Sequence, residues 1–235
     1  MAGKAIAVTL VPASLRRALL AIVAGLTTIG LIVEWFEYRV LYVDLGLLVP
    51  TFSLSYEGNV PTWYASSLLL ACSYLLAVVA RANPAQAKHW WGLCLGFAYI
   101  SLDEAVGIHE AASGWFETEG WLYYGWVIPG AAVVVVLMGI YARFVCSLPR
   151  TIRNQVILAG GLYVGGALGM ELPLGYWADG HGADNLGYAL IDLVEESLEL
   201  MGVSLFIAAQ AEYLAMQQQQ LQVVFTSASS RAETP

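Results

Sequence analysis

Six stretches of about 20 mostly apolar residues, each long enough to cross a bilayer, constrain this chain more than any other feature. They run from Ala18 to Trp35, Thr62 to Ala80, His89 to Ala111, Tyr123 to Val145, Gln155 to Trp177 and Leu186 to Leu205. In hydrocarbon the backbone must satisfy its own hydrogen bonds, and a continuous helix does so within each segment. The expected fold is all-α, a polytopic membrane bundle of about six transmembrane helices with both termini cytoplasmic. Only 12% of residues are charged, against about 25% in soluble chains. Residues 1–17 read as a cytoplasmic N-terminal segment, 18–210 as the membrane domain, and 211–235, with a glutamine run, as a disordered cytoplasmic tail.

Lys and Arg near span ends stay on the cytoplasmic side. The even span count puts Lys4, Arg16, Arg17, Arg81, Lys88, Arg143, Arg150, Arg153 and Arg231 inside and leaves only Arg39 outside. Glu37, Asp44, Glu57, Glu117, Glu119, Asp179 and Asp184 fall outside, so the net charge of −8 lies largely at or below the outer surface. No basic groove for a nucleic acid exists. Lys4, Arg16 and Arg17 precede an apolar run as in a signal peptide, but Glu34, Trp35 and Phe36 stand where small cleavage-site residues belong, so the first span is uncleaved. Cys72, Cys94 and Cys146 lie in apolar runs without a CxxC pair and read as small apolar residues. Trp90 and Trp91, Trp121 with Tyr123 and Tyr124, and Tyr176 with Trp177 sit at span ends as interfacial aromatics. The run VLYVDLGLLV, between the first two spans, suits an interfacial segment.

Against this background the acids inside spans stand out, because each costs a few kcal/mol at membrane depth. The third span carries SLDEAVGIHE, with Asp103, Glu104, His109 and Glu110; the fifth carries Glu171; the sixth carries Asp192, Glu195, Glu196 and Glu199. At ~1.5 Å per residue, Asp103 lies ~9 Å below the outer edge, Glu171 within ~6 Å of it, and Glu195 and Glu199 ~14 and ~20 Å deep. Three helices therefore supply groups at overlapping depths in the outer half. At ~100° per residue the four acids of the sixth span occupy one stripe of roughly 100°. Treated as one helix, the third span places Asp103 and Glu110 on a shared face, with Glu104 and His109 diverging to either side by about 100° and 120°. On that geometry Asp103 or Glu104 joins His109 or Glu110 at the site. The fifth span's glycines, at 160, 161, 165, 166 and 169, are expected to let helices pack closely.

Acids this close cannot all stay ionised; some hold protons or a cation neutralises them. Carboxylates and histidine on facing helices are the ligand types of dinuclear metal sites in bundles, and hard or borderline ions suit them. The Glu-x-x-His spacing of the ferritin-like sites is absent. Chains of Asp, Glu and His also mark proton and cation relays. A retinal Schiff base would need a lysine within a span, and both lysines lie outside. Ser101 and His109 are ~12 Å apart along one helix, too far for a nucleophile and its base. His89 reads as interfacial and His181 as an outer-loop surface histidine.

With SLDEAVGIHE, Glu171 and LVEESLELMG, the chain resembles uncharacterised bacterial multi-pass membrane proteins that carry an SLDE…HE motif and a later EE-x-LE motif. The resemblance implies the architecture and no activity; the expected location is a bacterial inner (cytoplasmic) membrane. The leading expectation is an outer-leaflet site for a divalent metal ion, with Asp103, Glu104, His109, Glu110, Asp192, Glu195 and Glu199 as the ligand pool. Glu171 and Glu196 are its acid/base groups, and an apolar or lipid-like molecule is the substrate class. Proton- or cation-coupled transport and a non-catalytic accessory or assembly subunit are the alternatives. The bilayer is the one assured partner, and a homo-oligomer is left open.

Overall fold

The computed structural model describes residues 11–40, 45–113 and 118–217, and among them every regular element is helical. Lys4, Asp44, Glu117, Arg231, the Glu110 side chain and the tail from residue 218 lie outside the described residues. So does part of VLYVDLGLLV. The elements are α1 (Pro12–Arg39), α2 (Leu48–Phe52), α3 (Val60–Ala82), α4 (Ala87–Val106), α5 (Ile108–Ser113), α6 (Val127–Ser147), α7 (Arg150–Val164), α8 (Glu171–His181) and α9 (Leu186–Met216). A π-helical segment, Gly165–Met170, joins α7 to α8.

Local chemistry accounts for the starts and stops. Asn59 and Asn185 cap α3 and α9, their side chains accepting from the backbone N–H of Thr62 and Tyr188, which satisfies donors the first turn would leave orphaned. Pro12 and Pro61 occupy first-turn positions where a missing N–H costs nothing. Gly107 stops α4 at φ 64°, a left-handed conformation glycine adopts without Cβ strain. The π-helical turns have a local cause in Pro173, which cannot donate to the carbonyl four residues back and clashes with it. The widened turns directly before it accommodate the break.

Four helices are long and apolar enough to cross a membrane: Pro12–Arg39, Val60–Ala82, Val127–Ser147 and the continuous rod Arg150–His181. The chain is a membrane protein by that measure. The expected third and sixth spans correspond to α4 with α5 and to α9, which carry the acids and are not among those four. Contacts at the two ends show how the helices alternate. At one end Tyr213 bonds Asn83, Gln86 bonds Ser147 and Gln155 bonds Glu212. At the other Tyr38 bonds Asp184, and the Gly120 N–H bonds Asp179.

α9 is the central post, packing against α1, α3, α7 and α8. Gly166 and Gly202 set its approach to the α7 rod: a Cβ on Gly166 would lie 2.8 Å from the Glu195 carbonyl, and one on Gly202 2.8 Å from the Ala159 carbonyl. Of the glycine stripe, therefore, Gly166 serves close packing as expected. A Cβ on Gly160, Gly161 or Gly165 would meet nothing within 4 Å. α3 and α4 form a tight antiparallel pair clasped by reciprocal bonds, Ser66 Oγ to the Ser101 carbonyl and Ser101 Oγ to the Ser66 carbonyl, each 2.8 Å. Below lies a dry core of Cys72, Leu76, Val79, Trp90, Phe144, Leu200 and Phe206. Trp90 belongs to that core at 1% exposure, edge-on to Phe144 and tilted against Tyr213, so of the expected aromatic pair only Trp91 faces outward. α6 is peripheral; Val133, Val135, Val136, Met138 and Ile140 are all exposed, as suits a lipid-facing helix.

Candidate functional site

The third span is not one helix, and this corrects the angular reading of SLDEAVGIHE. α4 ends at Val106, Gly107 turns the chain, and His109 and Glu110 belong to α5. Asp103 stands at the turn and bonds His109 twice, its Oδ1 accepting from the His109 backbone N–H at 2.9 Å and its Oδ2 lying 2.8 Å from Nδ1. The break brings Glu104 and His109, which a continuous helix would turn apart, to two adjoining cavities. Asp103 lines neither and acts through His109.

The outer cavity, about 200 Å³, is lined by His109, Glu171, Asp192, Glu195 and Glu196, by Glu57, Ser55 and Ser113, and by Tyr124, Trp126, Leu174 and Tyr188. The inner one, about 10 Å³, has Glu104, Tyr163, Glu196 and Glu199 among apolar walls. Glu196 borders both, so the acids of α9 form one descending line, as the stripe geometry predicts. Among the described residues, no Lys or Arg lines either cavity. Trp126 Nε1 donates to Glu171 Oε1 at 2.7 Å, Ser55 stands beside Asp192, and the Tyr163 hydroxyl adjoins Glu199. Glu195 is only 6% exposed, and its Oε2, like that of Glu34, is buried with no hydrogen-bond partner among the described residues. Elsewhere in native proteins such an atom is rare.

Of the sequence-derived residues, Glu104, His109, Glu171, Asp192, Glu195, Glu196 and Glu199 come together, with Asp103 behind His109; Glu110 contributes only its place on α5. Among the described residues no three His, Cys, Asp or Glu side chains converge as a ready-made cage for a metal ion. His181 stacks on Trp177 at 4.4 Å, outside both cavities.

Several contributors went unrecognised. Glu34, at the end of the first expected span, lines neither cavity, but it is 2% exposed, accepts a bond from Ser53 Oγ and lies within electrostatic reach of Asp192; an acid inside a 28-residue apolar helix is the available signal. Glu57 belongs to the outer connection by sequence, Tyr124 to the span boundary, and Trp126 carries no sequence-based role; nothing local marks them as facing inward. Tyr163 sits in the glycine-rich run, and only its depth could have paired it with Glu199.

A helical membrane bundle with an acidic cavity is thus the class of protein in hand. Residues 19–212 match the family model described as Domain of unknown function (DUF8692), and the chain belongs to that family. No curated protein and no solved structure matches it.

Proposed function

We infer that the chain is a six-span protein of the bacterial inner membrane, both termini cytoplasmic, whose outer-facing cavity binds a divalent metal ion. The observation that carries this reading is Glu195, a buried carboxylate with an unpartnered oxygen in a cavity shared with Asp192, Glu171, Glu196 and His109 and lined, among the described residues, by no Lys or Arg. Uncompensated acids at this depth are costly, and a cation removes that cost. The donors are mostly oxygen, which favours Mg²⁺, Mn²⁺ or Ca²⁺ over thiol-seeking ions. A carboxylate that holds one nitrogen of a histidine while the other meets a metal is a recurrent arrangement, and Asp103 holds His109 in this way through Nδ1. A cavity of about 200 Å³ has room for an ion that keeps several waters, as Mg²⁺ does when one or two carboxylates bind it; this accounts for the lack of a ready-made cage. Glu195, Asp192 and His109 are the direct ligands in this reading, and Glu104 and Glu199 a deeper reserve. Glu171 and Glu196 border the ion as acid/base groups toward a lipid-like substrate, the class an outer-leaflet cavity meets first.

Metal analysis of detergent-purified protein is the test. About one divalent ion per chain is expected in the wild type and none in a Glu195→Ala plus Glu199→Ala variant. A wild type that binds no divalent ion even at millimolar supply overturns the reading.

One observation favours a second reading, proton- or cation-coupled transport: the acids continue through Glu196 past the outer cavity to Glu104 and Glu199. It requires ion-gradient-dependent flux in proteoliposomes that Glu196→Gln abolishes, and wild-type vesicles without flux for any cation or for protons would count against it.

A further inference from the structure

At the opposite end of the bundle a groove of about 430 Å³ opens between the first turns of α1 and α7, with the last turns of α9 as its floor. This size falls within the ~300–1,000 Å³ of small-molecule sites. Its two ends differ chemically. Arg16, Gln155 and Glu212 form a charged mouth, and Leu158, Leu205 and Ala209 form an apolar wall. Leu158 is 56% exposed and continues that wall onto the lipid-facing side of α7. Gln155 lies five residues after Arg150, so the mouth sits ~8 Å above the first residue of α7, at the level where headgroups meet hydrocarbon.

We propose that this groove is a binding site for one aminophospholipid of the inner leaflet. Arg16 and Glu212 face the same groove without forming an ion pair. Gln155 Nε2 donates to Glu212 Oε2 at 2.7 Å, which holds that carboxylate in place and leaves its second oxygen for a ligand. An unpaired cation and a fixed anion on either side of one opening complement a zwitterion. The Arg16 guanidinium takes the phosphate, a planar donor set that suits phosphate oxygens. The Glu212 carboxylate takes a primary ammonium, and an acyl chain follows Leu158 and Leu205. A phosphocholine headgroup lacks the N–H donors for Glu212, and phosphatidylglycerol brings no cation to it. The selectivity is therefore for phosphatidylethanolamine, and it is independent of the metal reading at the other end.

The test is native mass spectrometry of the full chain released from nanodiscs of equimolar phosphatidylethanolamine, phosphatidylcholine and phosphatidylglycerol. One phosphatidylethanolamine per chain is expected, enriched about tenfold, as loss of a charge-assisted hydrogen bond to the competitors implies. Arg16→Gln should lose all three lipids. Glu212→Gln should keep a phospholipid but no longer separate ethanolamine from choline. Leu158→Trp fills the groove without altering its charge and should expel the lipid; the melting temperature in lipid-free detergent checks the fold of each variant. Retention of the three lipids in the supplied ratio, a second copy of the chain in place of lipid, or indifference to both Arg16→Gln and Leu158→Trp overturns the proposal.

Discussion

Two side chains separate a cation site from an acidic core that merely packs. Glu195 has a buried oxygen without a partner, so an amide of the same shape should be easier to bury. Metal-free Glu195→Gln is expected to be more stable than metal-free wild type by about 1–3 kcal/mol, the usual cost of an unsatisfied buried polar atom. With saturating Mn²⁺ or Mg²⁺ the order should reverse, because an ion at about 100 times its Kd adds about 2.7 kcal/mol to a protein that binds it and nothing to one that does not. Thermal melts with and without the ion read both signs, and a wild type whose melting ignores the ion removes the metal reading. Asp103 supplies the complementary case. It touches His109 and lines neither cavity, so Asp103→Asn should leave the ion count at one per chain but weaken affinity about 10–100-fold. Unchanged affinity in a calorimetric titration would mean that His109 does not hold the ion.

Helix breaks and close approaches decide which side chains meet. Much of the site was legible from the sequence, because a stripe of acids on one long helix has a single face whatever surrounds it, and Asp192, Glu195, Glu196 and Glu199 line the cavities as that stripe requires. The angular reading of SLDEAVGIHE assumed unbroken helix through Gly107. Glycine inside an apolar run is tolerated in a span, and its left-handed φ here is decided by Asp103 capping α5. Glu34 escapes a sequence reading because it stands at the expected end of the first span, and its bonding partner Ser53 lies 19 residues away. The glycine-rich rod illustrates the same limit, since composition treats its glycines alike and packing does not. Gly166→Ala would force a Cβ to within 2.8 Å of the Glu195 carbonyl and 3.2 Å of the Glu199 nitrogen. That overpacking is expected to cost about 1–3 kcal/mol and to lower ion affinity by shifting α9. Gly161→Ala meets nothing within 4 Å and should be neutral or mildly stabilising. Equal melting temperatures for the two variants would show that the α7–α9 contact does not position the acids.

Across the whole molecule, the two ends differ in charge, and the proposed orientation rests on that difference. Arg16, Arg81, Lys88, Arg143, Arg150 and Arg153 lie at the end where α1 and α7 begin and α9 finishes, whereas Glu57, Asp179 and Asp184 lie at the end that opens into the acidic cavity. With cations retained on the cytoplasmic side, the proposed topology turns the cavity outward, and a divalent ion would reach it from outside without crossing the dry core below. The chain carries its own probe of this arrangement. Cys146 is exposed near the cationic end, whereas Cys72 and Cys94 are buried, so the wild type presents one reactive thiol. A membrane-impermeant maleimide should label Cys146 in inverted vesicles and leave it untouched in right-side-out vesicles. An Asp184→Cys variant on a Cys146→Ser background should show the opposite pattern. If Cys146 is labelled from outside, the cavity faces the cytoplasm; its ion would then come from the cytosolic pool, and the lipid groove at the other end would meet the outer leaflet.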